Sequence, residues 1–534
     1  MIRKEDDRQL TFIHPFGGHL SPENRWVKMA DVTPWNDLEA AYNAVMNPKQ
    51  GRPSKPARLV IGSLIIKHKL TLSDEETVLH IQENPYLQYF CGYTAYEDKP
   101  PFVPNLFVEI RKRMGSDMFA SFEQAIVDQA VMIQKRKQQT SDKSDDVDDK
   151  LPPSSPTAPV DEKRAACDNT TATHQGRLLM DATVADQMIG FPTDAGLLNK
   201  AREIAEKLID KLHQKAGGKK PRTYRQRARK AYLNISKRKR PGSKLIRKGI
   251  REQLQYIRRD LQYITTMLDS LMPDAGTAFP LNQRLQRQYW VIQQVYDQQY
   301  QMYKSRMKRC DDRIVSISQP HVRPIVRGKA GRSVEFGSKI SVSLMEKLAF
   351  VDHLSWDAFN ESADLIAQVK AYKKRFGFYP ESVYADGIYG TRDNRRWLKD
   401  HGIRFAGKPL GRPKKVTDEN SAEIRQIKRQ RREDERQRIP VEGKFGQGKN
   451  GYRLNQIRTR LASTSEAWVR TIFLVMNLMA LLRFWPSLSP TTAILRCIGI
   501  VAHACWLPQI DHKHDYSGFE GRGLPLSGNL NPSF

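Results

Sequence analysis

Three acidic side chains stand out by what surrounds them. Asp181 directly follows the apolar triplet Leu178-Leu179-Met180, and Asp386 follows Val383-Tyr384-Ala385. A carboxylate at the end of a buried strand is held rigidly at the mouth of a sheet. Rigid, converging carboxylates suit a hard divalent cation such as Mg2+, which takes oxygen ligands in near-octahedral geometry. Two such ions about 4 Å apart activate the attacking oxygen and stabilise the leaving oxygen of an in-line phosphoryl transfer. A third carboxylate is needed, and Glu442 is placed to supply it, with Arg438 at i−4 and Lys449 at i+7. On a helix both offsets return to roughly the same face, so that face would carry an acid for metal and two cations for phosphate. Pro440 is expected in a first helical turn. Gly443, Gly446, Gly448 and Gly451 argue against a firm helix, although glycine also allows close approach of a DNA backbone. Taken singly, an acid after an apolar triplet is more often a strand-end cap or a salt-bridge partner.

The elements that must position these groups follow from the pattern. Strands are expected at 178–180, 313–317, 334–342, 348–351, 382–385 and 403–406, with helices at about 358–376 and 392–401. Beyond Asp312 this is a βββαβαβ series. A charged helix starts at Ser421, and an apolar helix over Trp468–Phe484 packs into the core. Upstream, Lys55–Lys69 reads as a helix, and a second begins at Ser73, a capping box with Glu76 three residues later. Short helices with short connections suggest a helix-turn-helix-like DNA-binding module over 1–135; a plain helical packing domain is the alternative. The Ser-, Asp- and Pro-rich stretch at 136–174 reads as a disordered linker.

The charge balance points to a partner. The 534 residues carry 88 Lys+Arg against 59 Asp+Glu, a net +29. Such an excess favours a polyanion, nucleic acid before an anionic membrane, because neutralising phosphates releases condensed counterions. Between Lys211 and Arg259 nineteen Lys/Arg face a single acid, Glu252, so most of the excess sits there. A heptad seam follows at Ile250, Leu254, Ile257, Leu261, Ile264, Leu268 and Leu271. With a second apolar pattern from Leu285 to Tyr303 it forms an antiparallel hairpin or, alternatively, a dimer seam. The one-signed charge reads as a DNA-gripping arm built on Lys219, Lys220, Arg222, Arg225, Arg227, Arg229, Lys237, Arg238, Lys239 and Arg240.

Other signals bound the answer. The strongest apolar run, Ile472–Leu482, contains Asn477 and is short of the roughly 20 residues a spanning helix needs. The start of the chain has no apolar signal region, and five cysteines without a CxxC pair fit a reducing cytoplasm. Gly51-Arg52-Pro53 and Gly411-Arg412-Pro413 have the look of minor-groove hooks. Cys497, His503, Cys505, His512 and His514 fit no standard zinc spacing.

The segments LLMDATVADQMIGFPTD, SISQPHVRPIVRGK, VEFGSK, VYADGIYGTRDN, KPLGRPKK and RIPVEGKFGQGKNGYRL closely resemble the DDE transposases of bacterial insertion sequences, in the insertion-sequence-five-like group. The resemblance covers roughly 1–120 and 175–485. It implies an α/β, RNase H-like catalytic core: a mixed sheet flanked by helices, preceded by an all-helical domain and interrupted by the basic helical insertion. The core would then occupy 175–199 and 311–485, the insertion 200–310, and a tail 486–534. It also implies Asp181 on the first strand, Asp386 on the fourth and Glu442 on a late helix as catalytic residues and metal ligands, serving two Mg2+ ions with Mn2+ able to substitute. A Tyr-Arg-Glu-Lys signature of the wider superfamily falls on Arg438, Glu442 and Lys449, but Glu435 stands where the tyrosine belongs.

The expectation is a bacterial, cytoplasmic, nucleoid-associated transposase. It would cleave double-stranded DNA at inverted-repeat ends and join the ends to target DNA, without a membrane and as a homo-oligomer in the synaptic complex. An RNase H-like nuclease without strand transfer, and a non-catalytic transposase-derived DNA-binding protein, are the alternatives.

Overall fold

The structure, a computed structural model, describes residues 15–47, 53–141, 174–274, 276–326, 334–411, 417 and 420–484, all within one compact unit. The arginines of both Gly-Arg-Pro motifs, the expected linker from 142 to 173, and the tail with its Cys and His residues lie outside the described residues.

Seven helices open the chain: α1 (Arg25–Val32), α2 (Trp35–Ala44), α3 (Ala57–Leu70), α4 (Asp74–Glu83), α5 (Pro85–Phe90), α6 (Leu106–Arg113) and α7 (Ser116–Ser141). Helix α7 continues into the segment read as linker. The Ser73 capping box is formed: Ser73 Oγ accepts from Glu76 N–H at 3.1 Å, and Glu76 Oε2 accepts from Ser73 N–H at 2.8 Å. Helix α3 is apolar nearly all round, and almost its whole length is buried. The exposed side of α4 carries Glu75, Glu76 and Glu83. The buried side of the pair packs into the core shared with the sheet.

A mixed six-stranded sheet forms the middle of the molecule: β1 (Arg177–Asp186), β2 (Arg323–Val326), β3 (Val334–Met345), β4 (Leu348–Ser355), β5 (Ser382–Tyr384) and β6 (Arg404–Phe405). The order is β2-β3-β1-β5-β6, with β4 also on β3; β1–β3 is antiparallel, β1–β5 and β5–β6 parallel. Gly337 is required where β3 meets β1, because a Cβ there would lie 1.9 Å from the Ala185 carbonyl oxygen. The strand expected at 313–317 is not formed. Ile314 N–H donates to Gln298 Oε1 instead of a ladder, and Ile314 and Ile317 join the core of the inserted helices.

Between β1 and β2 run α8 (Asp194–Ala216), α9 (Arg225–Ser236), α10 (Ser243–Leu271) and α11 (Gln283–Ser305). The heptad seam of α10 is satisfied within the chain. Leu254, Ile257, Ile264 and Leu268 are buried, packing against α8 as well as α11. The expected two-helix hairpin is thus one side of a larger helical bundle, which starts at Asp194.

Helices α12 (Leu365–Phe376), α13 (Arg392–Asp400), α14 (Ser421–Gly451) and α15 (Ala462–Phe484) complete the fold. Leu178 and Met180 of β1 pack with Leu365, Val369 and Tyr372 of α12. Leu179 of β1 shares the other core with Val441 and Phe445 of α14, with α15 and with the N-terminal helices. Helix α14 is continuous through Pro440, which lies in its interior rather than its first turn. Burial of Val441, Phe445 and Gly448 against the core outweighs the hydrogen bond the proline removes; a Cβ at Gly448 would lie 3.2 Å from the Leu454 side chain.

Helix α15 is long and apolar enough, by length and composition, to cross a membrane, but 78% of that window is buried inside the fold. Asn477, the polar interruption of its apolar run, accepts from Ala349 N–H and donates to the Ala349 carbonyl, both at 2.8 Å, pinning α15 to β4.

Candidate active site

Asp181 lies in the middle of β1, not at its end, because the strand pairs with β3 as far as Asp186↔Gly337. The parallel register sets Leu179 opposite Tyr384. Each acid follows that pair by two residues, Asp181 within β1 and Asp386 beyond the end of β5. Asp386 does follow a strand end. It caps a 3-10 turn, Gly387–Tyr389, by accepting from Gly387 N–H at 2.7 Å.

Glu442 comes from α14. One turn earlier Arg438 donates to Glu442 Oε1 at 3.1 Å and also reaches Asp386 Oδ1 at 3.9 Å. Arg438 therefore bridges two of the expected acids and lies within the field of the third. Burial pushes the Asp181 carboxyl above the ordinary carboxylate range. Glu361 and Asp386 push the same way, while the Ala182 N–H and Arg438 oppose them. Glu442 and Asp386 are more than half exposed and open to a large substrate.

Lys449 turns to Glu335 at the start of β3, at 3.6 Å. Glu435, at the expected tyrosine position, is exposed. Among the described residues no three His, Cys, Asp or Glu side chains stand close enough together to hold a metal ion. The donors nevertheless fit a hard divalent cation, being carboxylate oxygens only, and Arg438 stands between two of them.

The basic segment divides by role. Lys219, Arg222, Arg227, Arg229, Lys237, Arg238, Lys239 and Arg240 are exposed. Arg225 instead bonds Asp210 at 2.6 Å and the Glu206 carbonyl at 3.0 Å, and Lys220 pairs with Asp210 at 2.8 Å. These two hold the α8–α9 connection. The guanidiniums of Arg222 and Arg259 each lie 4.7 Å from the Tyr224 ring.

Three residues near the acids escaped the sequence reading: Glu361, Lys339 and Tyr389. Lys339 was visible only as part of VEFGSK. Glu361 carried no local signal, since it lies in a 3-10 turn, Glu361–Asp364, within what reads as the first turns of α12.

With this geometry described, comparison with known proteins adds the family. Residues 383–479 match the family described as Transposase DDE domain, and residues 15–113 match Transposase domain (DUF772). Both segments are thus similar to transposase domains. The DDE-domain match contains Asp386 and Glu442 and begins after Asp181, so the first acid rests on strand register rather than on that match. The chain is also 34% identical over 112 residues to an uncharacterized protein, ORF8 in the nfe locus, of Rhizobium meliloti. That segment is 21% of this chain, and the chain spans about half the length of this curated relative, 54%. No solved structure matches the chain.

Proposed function

We propose that the chain is an insertion-sequence transposase that cleaves DNA at the ends of its element and transfers the freed strands into target DNA. We read the mixed sheet as an RNase H-like core, with Asp181, Asp386 and Glu442 as its catalytic carboxylates. The observation that carries the reading is the meeting at Arg438, which joins Asp386 to Glu442 beside Asp181.

Those three carboxylates would hold two Mg2+ ions, or Mn2+ in their place, whose chemistry is to activate the attacking oxygen and stabilise the leaving one. In cleavage a water oxygen forms a bond to the phosphorus at the element end; the bond from phosphorus to the 3′ oxygen breaks, and that oxygen leaves as the 3′-hydroxyl. In strand transfer the 3′-hydroxyl oxygen attacks a target phosphorus and displaces the target's 3′ oxygen. Arg438 and Lys449 orient the phosphates. The exposed cations from Lys219 to Arg240 grip the duplex through its backbone. Two DNA ends must be paired, so a homo-oligomer assembles at synapsis, in the cytoplasm with the nucleoid.

The test is Mg2+-dependent cleavage and joining of end-containing DNA. Asp181→Ala, Asp386→Ala and Glu442→Ala are each expected to abolish both steps. Unchanged activity in all three would remove the site, and cleavage without joining would favour a nuclease.

A further inference from the structure

We infer that the first half of α14 is a second DNA-gripping element, a rod that lies along the duplex flanking the phosphate cleaved at Glu442; this rests on the DNA-cleaving reading above. The buried residues of α14 are Asp434, Val441, Phe445 and Gly448, so its packed half begins at Asp434. That point is fastened to the sheet. Arg404 of β6 donates to both Asp434 carboxylate oxygens, at 2.8 and 2.7 Å, and Arg177 of β1 donates to Gln437 Oε1 at 3.0 Å. From Ser421 to Glu433 the helix runs beyond this fastening without a buried side chain, a rod about 20 Å long at roughly 1.5 Å per residue.

The rod carries one sign of charge. Arg425, Lys428, Arg429, Arg431 and Arg432 fall within eight residues that hold no acid, and all but Arg431 are exposed. The acids at its root are engaged, Asp434 by Arg404, and Glu433 by Gln437 at 2.7 Å and Arg436 at 3.9 Å. Arg425 and Arg429 stand four residues apart, as do Lys428 and Arg432, so each pair repels across one turn and weakens the helix. A helix with no packed face and like charges on successive turns gains most from a polyanion. Duplex DNA is the polyanion that reaches this helix at Glu442. The axial rise from Glu442 is about 15 Å to Arg432 and about 26 Å to Arg425, which spans about 4 to 8 base pairs of flanking duplex. Arg438 lies between, so cations lead from the acids to the free end of the helix.

The test is binding of the full chain to a duplex carrying the element end, without divalent metal, over a range of salt. One variant combines Arg425→Gln, Lys428→Gln, Arg429→Gln and Arg432→Gln, since glutamine is nearly as good a helix former. Its salt slope should fall by about 3 to 4, at roughly 0.9 per phosphate contact. Hydroxyl-radical protection should be lost about 4 to 8 base pairs from the cleaved phosphate and kept elsewhere. In the wild type, amide exchange over Ser421–Glu433 should slow when DNA is added, a measurement that needs no variant. An unchanged slope and footprint in the variant, with exchange in that segment indifferent to DNA, would overturn the role of α14 and spare the DNA-cleaving reading. Wild-type protein that binds no DNA would overturn both.

Discussion

Arg438 reaches Asp386 at 3.9 Å while holding Glu442 at 3.1 Å, so one guanidinium sits between the carboxylates of a strand end and a helix. Its charge also opposes the upward push that burial exerts on Asp181. A cation already present among acids has two futures when DNA arrives: it stays as their counterion, or it turns to a phosphate.

Arg438→Gln separates them. Without DNA, removing the guanidinium frees Asp386 and Glu442, so Mn2+ should bind as tightly as in wild type or a few-fold tighter, by roughly the loss of one nearby positive charge. With DNA, the salt dependence of binding should fall by about one phosphate contact. Weaker Mn2+ binding with an unaltered salt slope would show that Arg438 only scaffolds the acids.

The basic segment yields a second contrast. Replacing Lys237, Arg238, Lys239 and Arg240 with Gln should reduce the salt slope of DNA binding by about 3 to 4, at roughly 0.9 per phosphate contact. These four are exposed. Arg225→Gln should act differently, because Arg225 ties α9 to Asp210 and to the Glu206 carbonyl. It should lower the melting temperature and leave the slope near its wild-type value. Salt titrations of both variants decide between a DNA arm and a solvated charged bundle.

Trp468 of α15 offers a test of how the N-terminal helices are joined to the sheet. It meets His68 edge-on at 4.7 Å and lies under Lys67 and Arg111, which share Asp74. Trp468→Ala should destabilise the protein by about 3–5 kcal/mol. Because one apolar core runs from α1 through α15 to the sheet, hydrogen exchange should quicken in α3 and β4 together. Loosening confined to the N-terminal helices would contradict a shared core.

What could be read from the chain follows the range of the forces involved. The capping box at Ser73, the seam of α10 and the strand leading to Asp386 depend on neighbours a few residues apart, and all three are formed. Asp181 as a strand-end residue failed because its strand is prolonged by pairing with β3, a partner more than 150 residues away. Pro440 and four glycines argue locally against the helix that presents Glu442. Burial of Val441, Phe445 and Gly448 keeps it whole. Glu361 was invisible for the same reason, as its partner Lys339 comes from β3.

Asp260 in α10 provides a pH test of the inserted bundle. It is 1% exposed, and neither carboxylate oxygen has a hydrogen-bond partner. Burial pushes it up to about 7; Glu206 adds to the rise, while Arg202, Arg259 and Arg225 oppose it. A carboxyl whose folded pKa exceeds the unfolded value of about 3.9 stabilises the fold fully below that value, and the contribution is lost as pH rises through about 7. Wild-type protein should therefore lose stability between pH 4 and 7 through this group, by about one to a few kcal/mol. Asp260→Asn removes the titration and keeps the shape. Its melting temperature, relative to wild type, should be higher at pH 8 than at pH 5. An equal difference at both values would show that Asp260 is ionised in the folded bundle, balanced by its three arginines.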